Sequence, residues 1–250
     1  MGWNIVQRRQ TIFDMVNQMG FIKLSQLKEY FPEVSEVTLR KDLQYLDENQ
    51  QIIRVHGGAK ALPHALSFLY RSGIYQEEKS LIAAKAAELI TPGSSIFISA
   101  GSTCVELAKR LPDMPLYVTT DGMTTAISVP NRPDTTVEVL GGELDMNLMR
   151  ISGLSVLQGM ESMHFNCAFI GTPGFHPDYG FSYPSAMTVA ALSKAIERAD
   201  KVIMLMDSSK VNYILMPRSI PIEKIDILVS DGKLKPEIVQ VLESKGVQVL

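Results

Sequence analysis

Two groups of residues in this 250-residue chain have the types and spacing to grip phosphate. The first lies within Ser35 to Ala59, SEVTLRKDLQYLDENQQIIRVHGGA. Leu39, Leu43 and Leu46 recur at i, i+4, i+7, which predicts a helix with one buried stripe. That helix presents Thr38, Arg40 and Lys41 to solvent. Arg40 can donate bidentately to guanine O6/N7 or to a phosphate, Lys41 suits a phosphate, and Thr38 suits a thymine methyl or a phosphate. Ser35 is placed to cap the helix and to touch a phosphate. Arg54 and His56 follow on a basic strand that can reach the neighbouring backbone or minor groove, and Arg8 and Arg9 would brace the flank. A solvated, charged helix face has the same composition, so spacing alone leaves that reading open.

The second group opens at Ile96-Phe97-Ile98-Ser99-Ala100, a strand that runs into Gly101, Ser102, Thr103 and Cys104 before a helix. Free N–H groups and the helix dipole at such a turn attract an anion, and the two hydroxyls add donors. A strand–helix turn merely capped by Ser102 looks alike. Further turns follow predicted strand ends: Thr119-Thr120, Gly141-Gly142, Gly171 to Gly174, and Asp207-Ser208-Ser209-Lys210. Glycines let a ligand approach the backbone, and an Asp with a Lys three residues on can hold hydroxyls and a phosphate, or only each other. Together these turns would ring one crevice. Cys104 sits where thiolates are stabilised, yet small-residue packing explains it as well.

The elements that must position these groups fall into two patterns. Helical spacing covers residues 5–19, with Gly20 as a stop, and residues 25–31, broken by Pro32. The third helix starts after Ser35, then Asp47 to Gln50 turn the chain and Ile52 to Val55 form a strand closed by Gly57-Gly58. Three helices and a wing make a winged helix-turn-helix. Residues 61–78, punctuated by Pro63 and Gly73, read as a linker with apolar anchors. From Lys79 onward, predicted helices at 79–90, 102–111, 122–128, 154–163, 186–199 and 235–245 alternate with apolar runs at 96–98, 116–118, 137–140, 167–170, 202–206, 225–229 and 247–250. Fully apolar strands separated by helices predict an α/β, Rossmann-like, mostly parallel sheet covered on both faces. Such sheets bind ligands beyond the carboxyl ends of their strands.

Bulk properties narrow the class. The formal charge of −3 argues against a generally basic nucleic-acid coat protein. The first 60 residues carry eight Lys/Arg and seven Asp/Glu, a net of +1, and the remainder sixteen and twenty, a net of −4. Two distant cysteines without a CxxC give neither a disulfide framework nor a metal site. The start, MGWNIVQRRQ, has no apolar targeting segment, and no run reaches membrane-spanning length. The expectation is a cytoplasmic protein that uses no metal, cofactor or membrane.

Val34-Ser35-Glu36-Val37-Thr38-Leu39-Arg40-Lys41-Asp42-Leu43, then Leu46, then Arg54-Val55-His56-Gly57-Gly58-Ala59 resembles the DeoR family of bacterial transcriptional regulators. Gly101-Ser102-Thr103, Gly141-Gly142 and Asp207-Ser208-Ser209-Lys210 match that family's effector domain, so the resemblance spans nearly the whole chain. It implies a winged helix-turn-helix over 1–60, a linker over 61–78, and over 79–250 an effector and oligomerisation domain related to sugar-phosphate isomerases. It also implies a repressor of carbohydrate-use genes, a phosphorylated sugar or similar metabolite as effector, and a homodimer or homotetramer on double-stranded DNA. Asp42 is expected to hold a neighbouring Arg or the helix backbone rather than DNA. Three departures stand out. The turn Phe31-Pro32-Glu33-Val34 reads one residue longer than usual, Thr119-Thr120 replaces Thr-Asn, and Thr188-Val189-Ala190-Ala191-Leu192 replaces an acidic, Lys-containing stretch. An isomerase needs a general base, so the last departure points away from catalysis and leaves no catalytic residue to name. Two alternatives stay open: an isomerase-type enzyme with an appended DNA domain, and a regulator whose second domain only oligomerises.

Overall fold

The computed structural model describes residues 3–48, 52–61, 68–215 and 219–250; side chains of residues 17, 18, 69 and 70 are also left undescribed. Asn49-Gln50 of the expected turn and Pro63 of the expected linker fall outside these residues. The chain divides into two compact units, Met1–Leu66 and Ser67–Leu250.

The first unit runs α1 (Ile5–Met19), β1 (Phe21–Lys23), α2 (Leu24–Tyr30), α3 (Glu36–Glu48), β2 (Ile52–Val55) and β3 (Gly58–Ala61). Asn4 caps α1 through the Val6 N–H, and Gly20, at φ +71°, ends it. Ile12, Val16, Leu27, Phe31, Leu39, Leu43, Leu46 and Ile52 are buried, which is the leucine-stripe packing that the spacing implies. Trp3 packs edge-on to Phe31 at 4.8 Å. The turn after α2 is fixed by Lys28, whose ammonium donates to the carbonyls of Pro32 and Val34, each at 2.9 Å.

Gly58 does not close the wing strand as the sequence suggested; it starts the returning strand, and the hairpin tip is His56-Gly57. β3 lies between β1 and β2, all antiparallel. A Cβ on Gly58 would stand 2.1 Å from the Ile22 carbonyl oxygen, so only glycine lets β3 close on β1.

The second unit continues with α4 (Phe68–Gly73), α5 (Gln76–Ala87), β4 (Ser95–Ile98), α6 (Ser102–Lys109), β5 (Leu116–Thr120), α7 (Met123–Ser128) and β6 (Thr135–Val139). Then come the hairpin β7 (Glu143–Asp145) and β8 (Arg150–Ser152), α8 (Leu154–Gly159), β9 (Phe165–Gly171), β10 (Gly174–His176) and β11 (Gly180–Ser182). The chain ends with α9 (Ala186–Glu197), β12 (Ala199–Leu205), β13 (Ser219–Ile220), β14 (Ile227–Val229), α10 (Pro236–Ser244) and β15 (Gln248–Val249).

The seven apolar runs become one sheet in the order β15-β14-β12-β9-β4-β5-β6, every pair parallel. One face buries Ile82, Ala83 and Ala86 of α5 with Cys104 and Leu107 of α6. The other buries Val156 of α8, Leu192 of α9 and Leu242 of α10. The residues expected to be linker are structured from Phe68 onward. α4 and α5 belong to this unit, and Phe68 is buried with its N–H bonded to the Asn147 carbonyl.

Strand order reverses between β4 and β9, since β5 and β6 extend one way and β9, β12 and β14 the other. Open α/β sheets bind ligands at such a switch point, outside the strand ends. There the Gly101 turn leaves β4 and the Gly171 turn leaves β9.

Candidate functional site

In the first unit, α3 is held rigidly and its outer side is left open. Ser35 caps it, its hydroxyl accepting the Thr38 N–H at 3.1 Å and lying 2.9 Å from the Thr38 hydroxyl. Asp42 is 1% exposed and faces α1, where one oxygen takes Arg8 Nε at 2.6 Å and the other Arg9 Nε at 2.9 Å. The expectation for Asp42 therefore describes what it does. For Arg8 the expectation needs correcting: it is buried, and its guanidinium neutralises Asp42 instead of bracing DNA. Arg9 is partly covered, paired with the same carboxylate, and stacks over the Tyr45 ring at 3.6 Å. Lys41 is exposed, with no carboxylate among the described residues within ion-pair distance. Arg40 is exposed and 3.7 Å from Glu36, a pair worth little in water. Arg54 and His56 are exposed on the wing, and the Arg54 N–H donates to Asp47 at 2.8 Å, tying wing to helix.

In the second unit, α6 begins after Gly101, at φ +149°, with no side chain capping it. The first-turn N–H groups of 102–104 therefore have no capping side chain, the arrangement that suits an anion. Ser102 and Thr103 lie beside them, almost covered. Beneath the loop, Asp121 accepts the Ala100 N–H at 2.7 Å and a guanidinium N–H of Arg150, and Arg150 donates to the Ala100 carbonyl at 2.9 Å. Burial pushes the Asp121 carboxyl up, while Arg150 and the Ala100 N–H pull it down.

Asp207, 1% exposed, accepts the Ser209 N–H at 3.1 Å and the Ser209 hydroxyl, and stands 3.5 Å from the Lys210 ammonium. Lys210 lies 5.3 Å from the centre of the Tyr75 ring.

Two cations that sequence reading did not single out, Arg71 of the expected linker and Lys79 at the start of the next expected helix, complete this crevice. Lys79, 3% exposed, donates to the carbonyls of Arg71 and Ile74. Burial, then the charges of Lys210 and Arg71, lower its pKa to about 8. Burial and the charge of Arg150 lower that of Arg71 to about 10, and Arg71 Nε is buried with no hydrogen-bond partner among the described residues. Four cations thus share a small volume with two carboxylates, Asp121 and Asp207. Glu106 at the rim is engaged with Lys109 and Arg110. Cations therefore outnumber carboxylates in this set.

Several predicted site residues are used by the chain itself. Thr120 donates to the Ile98 carbonyl at 2.5 Å and accepts the Gly122 N–H at 2.9 Å, so its hydroxyl is spent on the fold. Thr119 is buried at the end of β5. The Cys104 side chain points into the core against Ser99 and Gly171, and burial pushes its thiol up to about 11; only its N–H faces the loop. Gly142 is required by the hairpin, because a Cβ there would stand 2.4 Å from the Ser152 carbonyl oxygen. Gly141, next to it, is exposed. Gly174 is required by the approach of the Tyr213 carbonyl oxygen, 2.5 Å from where its Cβ would be. Gly171 stays at the crevice floor, its N–H donating to Ser99 at 3.1 Å. In α9, Thr188, Ala191 and Leu192 are buried and uncharged. Arg150 had one sequence signal, a lone charge in the apolar run Leu148-Met149-Arg150-Ile151. Among the described residues, no three His, Cys, Asp or Glu groups are placed to hold a metal ion, and no helix is long and apolar enough to cross a membrane.

Residues 8–64 match the DeoR-like helix-turn-helix domain, and residues 74–232 match the DeoR C terminal sensor domain. The chain is 32% identical over 248 residues to YulB, an uncharacterised helix-turn-helix-type transcriptional regulator of Bacillus subtilis, covering 98% of this chain and 96% of that one. It is 29% identical to the transcriptional regulator GolR of Listeria innocua over 97% of each chain. A ribose 5-phosphate isomerase A from Methanocaldococcus jannaschii is similar over 54% of each chain, at 14% identity and a TM-score of 0.39. A helix-turn-helix with an open outer face, a parallel sheet with a cationic crevice, and matches to both domains lead to one conclusion: the chain belongs to the DeoR family of helix-turn-helix transcriptional regulators.

Proposed function

We propose that this regulator represses carbohydrate-metabolism genes and that a phosphorylated sugar in the second unit's crevice controls its hold on DNA. The observation that carries this reading is the excess of cations, above all the partnerless buried Nε of Arg71 beside Lys79 and the uncapped start of α6. A phosphate monoester carries close to two negative charges near neutral pH, which complements four cations against two carboxylates. Gly101, Ser102 and Thr103 would hold the phosphate with Arg71, Lys79 and Lys210, and Asp207 would accept sugar hydroxyls. Arg150, paired with Asp121, would set the floor.

Residues through Leu66 would form the reading domain and those from Ser67 the sensor. One reading head covers a half-site, so the working form is at least a dimer, as homodimer or homotetramer. We read it as a cytoplasmic protein without enzymatic activity. Asp121 is tied to Arg150 and the Ala100 N–H, and Asp207 to Ser209 and Lys210, so neither is free to abstract a proton.

Thermal unfolding of the full chain against a panel of phosphorylated sugars and inorganic phosphate tests the sensor. A shift that Lys79→Met or Lys210→Met removes is expected. No shift with any compound would leave a domain that only oligomerises, and turnover of a pentose phosphate would make it an enzyme.

A further inference from the structure

Sequence reading left Arg40 two roles, base reader or phosphate contact, and the geometry of the first unit separates them. At 3.6 residues per turn, Leu39, Leu43 and Leu46 mark the buried side of α3. Val37, Lys41 and Gln44, at i, i+4, i+7, form the stripe opposite, and all three are exposed. Thr38 and Tyr45 lie on the flank toward α1, where Tyr45 meets Arg9. Arg40 lies on the other flank with Glu36 and Asp47, and Asp47 is the residue that holds the wing strand.

That flank borders a cleft of about 170 Å³ between α3 and the wing. Leu24 and Leu43 line its floor, and Arg40, Arg54 and His56 line its walls beside Gly57-Gly58. Among the described residues, no acidic one lines it. Outside the lining, Glu36 stands 3.7 Å from Arg40 with both side chains more than half exposed, a pair worth little in water, and Asp47 accepts the Arg54 main-chain N–H. Two guanidinium groups and an imidazole therefore border a small space whose described lining holds no carboxylate.

We propose that this cleft seats one DNA backbone phosphate, clamped by Arg40, Arg54 and His56, and that Val37, Lys41 and Gln44 are the residues that read bases. Arg40 is then an anchor that sets the register of α3 in the major groove, and sequence preference is set by the stripe beside it. Val37 offers an apolar contact for a thymine methyl, Gln44 an amide for adenine N6/N7, and Lys41 a donor for guanine. This rests on the first unit being the DNA-binding unit, and the test separates the two.

The full-length wild-type chain is used to enrich duplexes from a random-sequence pool. Affinities for the enriched duplex and a scrambled one are measured by fluorescence anisotropy over a salt series. Arg40→Gln and the pair Arg54→Gln with His56→Gln are expected to weaken both duplexes by the same factor, about tenfold to a hundredfold, and to reduce the salt slope by about one. A second enrichment with Arg40→Gln should return the wild-type sequence. Gln44→Ala and Val37→Ser should return a different one. All five positions are exposed, and far-ultraviolet circular dichroism confirms that each variant is folded. The proposal is overturned if Arg40→Gln alters the enriched sequence or weakens only the enriched duplex, or if Gln44 and Val37 variants enrich the wild-type sequence. If the wild-type chain enriches no duplex, DNA binding by this unit fails and the seat fails with it.

Discussion

Replacing Arg71 by Met is expected to make the ligand-free protein more stable while abolishing its response to phosphate. The Arg71 guanidinium is buried beside Arg150, and its Nε has no partner among the described residues. Its pKa is lowered from 12.5 to about 10, so at 1.36 kcal/mol per unit the charged form is disfavoured by about 3 kcal/mol relative to water. Discounting for the part that solvent still reaches, and for packing lost with the guanidinium, a net gain of roughly 1–3 kcal/mol remains. For a unit of this size that raises Tm by roughly 3–10 °C. Wild-type protein should recover a similar amount only when an anion fills the crevice; a ligand at a hundred times its Kd contributes about 2.7 kcal/mol. Differential scanning calorimetry of the full chain, with and without a phosphorylated sugar, reads both quantities. A variant that melts lower than wild type and still responds to the ligand would refute the reasoning, because Arg71 would then hold the fold instead of awaiting an anion.

Lys79 makes the ligand-free sensor depend on pH. A base whose pKa is lowered on folding carries its full penalty below the folded value, here about 8, and loses it as pH rises toward 10.5. Stability from this group should climb by up to about 3 kcal/mol across that window, and urea titrations should show the climb in wild type but not in Lys79→Met. Asp42→Ala strands Arg8, whose side chain is 10% exposed, and should cost the first unit about 3–5 kcal/mol; adding Arg8→Met should restore part of it, both read by amide exchange in α1 and α3. Ser35→Ala removes the cap of α3 and should cost about 1 kcal/mol by the same measurement. Gly58→Ala places a methyl against the Ile22 carbonyl, so exchange of the β1–β3 amides should rise sharply.

The long elements were legible because their burial is periodic or complete. Each of the seven apolar runs became a strand of one parallel sheet, and the 3.6-residue spacing up to Gly20 matched α1. The 61–78 stretch was not, because Pro63 and Gly73 interrupt any period and α4 is only six residues long. The β7–β8 hairpin hid for another reason: all three residues of β7 are exposed, so no alternation marks it. Arg8 read as surface on its own helix, and its burial follows from Asp42 across in α3, a carboxylate on the buried side. The cation cluster was illegible in principle. Arg71 and Lys79 of α4 and α5, Arg150 of β8 and Lys210 after β12 come from three separate stretches of sequence, and only the fold gathers them. Local motifs found the Gly101 loop and the Asp207–Lys210 turn, but not Arg71, Lys79 and Arg150 beside them.

Under the proposed function, an anion in the sensor changes the hold on DNA. It is tested most directly by titrating the enriched duplex with full-length protein, with and without a phosphorylated sugar that stabilises the sensor. Duplex affinity should change by about 5–150-fold, sugar affinity should change equally when duplex is present, and Lys79→Met should lose both. A sugar that binds and stabilises the sensor yet leaves duplex affinity unchanged would contradict it.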